Sequence, residues 1–199
     1  MRKRHIKAYA RAATATMALL TMVVGTTLAA ANTQAALMGT SLSTTSAELL
    51  IYDGQAFSNS APGFTVQNIV PGVGSAEYRL AFQNTGGKAI GIGAHVPTAY
   101  TFDGFNSTSA TTAMKTVKVV IKNLHDGSET STTLYTLGLT TDVPLPGAPL
   151  GAGVAANPGS SVSEGNYSIR FDIDPTAIGT SKATVDPFDI VFSGKAVAS

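Results

Sequence analysis

"NIVPGVGSAEYRLAFQNTGGKAIGIGAHV", residues 68–96, joins a Pro-Gly turn to two runs of alternating apolar residues separated by an Asn-Thr-Gly-Gly turn. In the first run Tyr78, Leu80 and Phe82 point one way, and Glu77, Arg79 and Gln83 the other. In the second, Ile90, Ile92, Ala94 and Val96 share a face, while Gly91 and Gly93 leave the opposite face bare. A period of two is that of a half-buried strand. Glycines along one strand face predict close approach by another backbone or sheet.

The same period recurs from Glu48 to the end of the chain. Leu49 and Ile51 alternate in "AELLIYD". In "KTVKVVIKNL", Val117, Val119 and Ile121 oppose Lys118 and Lys122. The turn "HDGSE" supplies an Asp-Gly pair suited to a tight hairpin, and "TTLYTLGL" is its expected partner strand. The Pro- and Gly-rich segment 142–166 is expected to be an excursion from the sheets. "NYSIRFDID" then places Tyr167, Ile169, Phe171 and Ile173 on one face, and "PFDIVFSGKAV" does so for Phe188, Ile190 and Phe192. About eight to ten short strands follow, with no helix beyond a short turn at "PTAIGTSKA". Each has one apolar face to bury, so an all-β, antiparallel sandwich is the expected fold, with residues 47–199 as its domain.

The N-terminus reads as an address. Arg2, Lys3, Arg4, Lys7 and Arg11 precede the uncharged run Met17–Ala31, and small residues follow, so residues 1–35 are expected to be a signal peptide cut between 31 and 36. A membrane anchor is the rival reading. No basic cluster follows the run, however, and Gly25, Thr26 and Thr27 interrupt it. The chain carries 13 Lys+Arg and 12 Asp+Glu, and five of the basic residues lie in the leader. Eight then face 12, a net charge of −4, which argues against a nucleic-acid partner. There is no cysteine, which excludes thiol catalysis and thiolate metal sites and leaves packing and strand pairing to hold an exported fold.

Catalytic and metal signatures are absent from the sequence, so no catalytic residue, metal ligand or cofactor is assigned. There is no G-x-S-x-G elbow and no H-E-x-x-H. His95 and His125 could serve a metal only if the fold gathered them with a distant carboxylate. Asp172 and Asp174, two apart on a strand, would share a face, and an acidic solvated surface beside Arg170 is the preferred reading. Tryptophan is absent, and Tyr78 and Tyr167 run in phase with core residues. Tyr100, in "PTAYTFDGF", is therefore the candidate ligand contact of an adhesin or carbohydrate-binding sandwich.

The order of features resembles the TasA/camelysin group of exported proteins with SipW-type leaders. It runs from a small-residue cut through "ALMGTSLSTTSAELLIYDGQ" and "SAPGFTVQNIVPG" to the aromatic-rich "YRLAFQNTGG". The resemblance covers roughly residues 30–96. It implies a jelly-roll-like sandwich, processing by a signal peptidase, and self-association into fibres of the biofilm matrix or with other cell-surface proteins. In such fibres residues 36–46 of one subunit would complete the sheet of its neighbour, with Leu37, Met38 and Leu42 as anchors. Some members carry a metallopeptidase label, which this sequence lacks the zinc motif to receive. Low charge, at 13% of residues, leaves the strands without the lysine-rich edges that discourage association.

Overall fold

The computed structural model describes residues 35–37, 40–44, 48–69, 72–97, 102–103, 110–139, 141–174, 176, 183–185 and 187–197. Residues 1–34 of the expected leader, Met38 and Tyr100 lie outside them. Two large sheets carry the fold. One has six strands, in the order β11 (Glu129–Thr133), β10 (Val117–Asn123), β13 (Asn166–Ile173), β7 (Tyr78–Asn84), β3 (Leu49–Tyr52) and β4 (Phe57–Ser58). The other has five: β12 (Val143–Pro144), β8 (Ile90–His95), β15 (Phe188–Ala196), β2 (Thr40–Thr44) and β5 (Ser60–Ala61). A smaller ladder joins β6 (Val66–Ile69), β1 (Ala35–Leu37), β14 (Ala183–Val185) and β9 (Phe102–Asp103). Most pairings are antiparallel, and the molecule is an all-β sandwich.

The alternation in the sequence sets which side chains face inward. Leu80 and Phe82 on β7, Ile90, Ile92 and Ala94 on β8, and Val117, Val119 and Ile121 on β10 are all buried in one core. Tyr167, Ile169, Phe171 and Ile173 on β13 meet Phe188, Ile190 and Phe192 on β15. Phe82 and Phe192 bridge the two sheets edge to face, their ring centroids 4.9 Å apart, and Phe171 and Phe188 do so at 6.5 Å. Burying each such ring stabilises the fold by roughly 1.5–3 kcal/mol, so these contacts fasten one layer to the other.

Local chemistry departs from the expected pattern in three places. The Asp-Gly turn after β10 forms, with Gly127 at φ 77°, but β11 stops at Thr133. Leu134–Leu137 coil into a single helical turn (α2) because the Thr133 side chain caps it by accepting the Thr136 N–H, and Leu134 and Leu137 bury. "TTLYTLGL" is therefore strand, then helix. A second helix, α1 (Ala110–Thr116), precedes β10; its Thr-rich sequence gave no amphipathic signal, yet Ala113 is buried and Met114 packs on the core.

The third departure is the segment 142–166, which is part of the sandwich rather than an excursion from it. Leu145 N–H donates to Ile92 O at 2.8 Å, Leu150 and Ile90 exchange backbone bonds at 2.8 and 3.0 Å, and Ala156 N–H reaches Phe82 O at 3.1 Å. Leu145, Leu150 and Ala156 are buried. Asn84, buried at the end of β7, donates its amide to the carbonyls of Leu150 and Gly151 and accepts the Gly86 N–H. The segment thus closes the end of the core across which β7 passes to β8. Prolines and glycines forbid a long strand there, but isolated backbone bonds remain available.

Candidate functional site

The N-terminal segment enters the five-stranded sheet. β2 runs parallel to β15, with Thr40 opposite Phe188 and Thr44 opposite Phe192, and antiparallel to β5 at Leu42–Ala61 and Ser43–Ser60. Thr44 N–H adds a bond to Asn59 O at 2.9 Å. "TSLST" suits this place: β-branched and small hydroxyl residues fit a pleated surface, and no charge or proline interrupts the ladder. β1 likewise runs parallel to β14 and antiparallel to β6. Leu37 therefore falls on β1 and Leu42 on β2. Parallel partners of this kind are joined by no hairpin, so the insertion is held by pairing between segments from opposite ends of the chain.

Because β5 meets only two residues of β2, most of that edge is left without a strand partner among the described residues. Removing β2 would expose a five-residue stretch of β15, Phe188–Phe192, as a bare row of N–H and C=O groups beside the core.

The outer face of the same sheet holds a second feature. Gly91 and Gly93 alternate outward on β8, as their spacing predicts, and a Cβ at Gly93 would lie 2.7 Å from Asp142 Cβ. Asp142 occupies that space. Its carboxylate stands 2.6 Å from His95 Nδ1 and also accepts the Ser193 hydroxyl from β15. The order is serine, carboxylate, imidazole, so the imidazole does not stand between the hydroxyl and the acid as a Ser-His-Asp base does. A groove of about 760 Å³ runs alongside, floored by Gly91 and Gly93 and walled by Pro144, Pro149, Ser193 and Lys195.

The other candidate residues are not gathered into one site. His125 Nδ1 faces the Val162 carbonyl, while His95 is engaged with Asp142. Among the described residues no group of three or more His, Asp or Glu side chains could hold a metal ion. Asp172 does not pair with Asp174. It accepts the Gly72 and Ile173 N–H groups at 3.0 and 2.8 Å, whereas Asp174 lies beyond the end of β13 and caps Thr176 at 2.9 Å. Those Thr176 bonds hold the Asp174 carboxyl below its ordinary pKa of 3.8. Arg170 faces Glu129 at 3.6 Å.

Asp142 and Ser193 escaped the sequence reading because they lie 47 and 98 residues from His95, and only the bare glycine face hinted that something approaches there. Among the described residues no helix is long and apolar enough to cross a membrane. Comparison with protein-family models and with curated proteins finds no match for this chain.

Proposed function

We propose that this is an exported structural protein of the cell surface or biofilm matrix whose N-terminal strand can complete the five-stranded sheet of a neighbouring copy. The observation that carries the reading is the seat of β2, parallel to β15 with five paired positions and covered by β5 at only two. A strand so placed is joined to its slot through the ladder, and an identical strand from another copy satisfies the same groups. The resemblance to the TasA/camelysin group, which implies a jelly-roll topology, leader removal between residues 31 and 36 and assembly into biofilm fibres, supports the reading. The mature surface, low in charge, offers little electrostatic resistance to edge contact.

An adhesin-like, ligand-binding sandwich is the second reading, and the groove over Gly91 and Gly93 is what favours it. Negative-stain microscopy separates the two. Residues 36–199 should form fibres, and the chain beginning at Ala47 should stay monomeric. If both remain monomeric across salt and pH, assembly fails as the function and the groove becomes the leading site.

A further inference from the structure

Beneath the loop 146–151, where the segment 142–166 roofs the end of the core, Tyr167 lines two adjoining cavities. One is the 760 Å³ groove; the other, of about 80 Å³, is faced by Asp126 and Glu164. Tyr167 is only 3% exposed, and its ring packs edge to face on Phe82 at 5.7 Å. Its hydroxyl makes no hydrogen bond among the described residues. A buried hydroxyl without a partner is a costly group and calls for an occupant that pairs with it.

The surroundings define that occupant. Neither Asp126 nor Glu164 forms an ion pair among the described residues. Asp126 uses Oδ1 for the Ser128 N–H and hydroxyl, which leaves Oδ2 directed toward Gly147. Glu164 lines the same small cavity, its Oε2 3.6 Å from where a Cβ on Gly151 would stand. His125, the neighbouring titratable group, directs Nδ1 to the Val162 carbonyl. Burial first, then the charges of Asp126 and Glu164, push the Tyr167 hydroxyl up to a pKa of about 12, so it stays neutral and faces a negative field. Two carboxylates are fewer than a metal ion's protein ligands usually number, and among the described residues no group of three or more His, Asp or Glu side chains could hold one, so an organic cation suits the cavity better. An ammonium group carries three donors and a positive charge, matching two carboxylates and a phenol oxygen.

We propose that the small cavity receives the ammonium group of a primary-amine ligand, held by Asp126, Glu164 and the Tyr167 hydroxyl, with the body of the ligand in the adjoining groove. This site is independent of strand exchange, because it lies at the roofed end of the core and uses no residue of β2.

Isothermal titration with n-butylammonium chloride at pH 7 and low salt tests it, with tetramethylammonium chloride as the control that has charge but no N–H donors. Butylammonium should bind at least about tenfold more tightly than tetramethylammonium, and Tyr167→Phe and Glu164→Gln should each weaken it by about tenfold. Glu164 is exposed, so Glu164→Gln keeps the fold and decides the matter should Tyr167→Phe prove unstable. Absence of butylammonium binding, equal affinity for both cations, or an unchanged Glu164→Gln protein would overturn the assignment.

Discussion

The two large sheets are built by different means. In the six-stranded sheet, β10 and β13 pair antiparallel over seven positions, and β10 and β11 form a hairpin around a tight turn. In the five-stranded sheet, β2 comes from the far end of the chain, lies parallel to β15, and is gripped by β5 at two positions. The six-stranded sheet carries a hairpin at each edge, β10–β11 and β3–β4, whereas the five-stranded sheet has no hairpin among the described residues and is completed at β2 by a segment from the far end of the chain. Exchange between copies would therefore cost least at β2: a hairpin strand leaves its partner only by unfolding its turn, whereas β2 leaves by unpairing alone.

The substitution with the largest expected effect breaks both sheets together. Phe82 is fully buried between Phe192 and Tyr167, so Phe82→Ala should cost about 3–5 kcal/mol, read as a lowered denaturant midpoint. If only the six-stranded sheet loosened, as judged by hydrogen exchange, the two layers would be less coupled than their rings imply.

Leu42→Pro strikes the five-stranded sheet alone. Leu42 pairs with Ile190 on one side and Ala61 on the other, so a proline there removes a ladder donor whichever neighbour it served. A loss of about 1–3 kcal/mol and complete loss of fibres are expected, with hydrogen exchange in β10 and β13 hardly changed.

A smaller and more selective contrast lies on the outer face of that sheet. Gly93→Ala forces a Cβ to within 2.7 Å of Asp142 and should cost about 1–3 kcal/mol while loosening the 142–166 segment to protease. Gly91→Ala meets nothing nearer than the Lys195 carbonyl at 3.9 Å and should stay within about 0.5 kcal/mol of the parent. Equal effects would mean that the bare face is not filled by Asp142.

Acid should produce the smallest change. Asp53 is held below its ordinary pKa of 3.8 by the Ala56 and then the Gln55 N–H, Asp126 by the Ser128 hydroxyl and then its N–H, and Asp174 by Thr176. A lowered carboxyl contributes stability above its unfolded value and loses it as pH falls through the folded one. Thermal stability should therefore change little through these groups from pH 7 down to about 4, and decline below 3.8. Asp53→Asn should flatten part of that decline.

What could be read from the residues follows the same division. Period-two alternation named the inward faces of β7, β8, β10, β13 and β15, because each is a local property of a half-buried strand. The seat of β2 was not legible: nothing in "TSLST" records that its partner is Phe188–Phe192, since parallel pairing is non-local. The role of 142–166 was hidden for a related reason. Its hold on the sandwich is made by backbone groups and by the Asn84 amide, which leave no hydrophobic period to find. Of the outer-face cluster, only Gly93 gave a signal, and it named a close approach without naming Asp142. The helical turn at Leu134–Leu137 turned on a single Thr133 cap, which a run of β-favouring residues concealed.

The most direct measurement places cysteines at Ser41 and Asp189, exposed register partners on β2 and β15, in a chain that has no cysteine of its own. After assembly and mild oxidation of the double variant, a non-reducing gel should show a ladder of covalent multimers, because strand exchange would pair the β2 of each subunit with the β15 of its neighbour. Bonds confined within single chains in every assembled fraction would contradict strand exchange and leave β2 as an ordinary strand of its own sandwich.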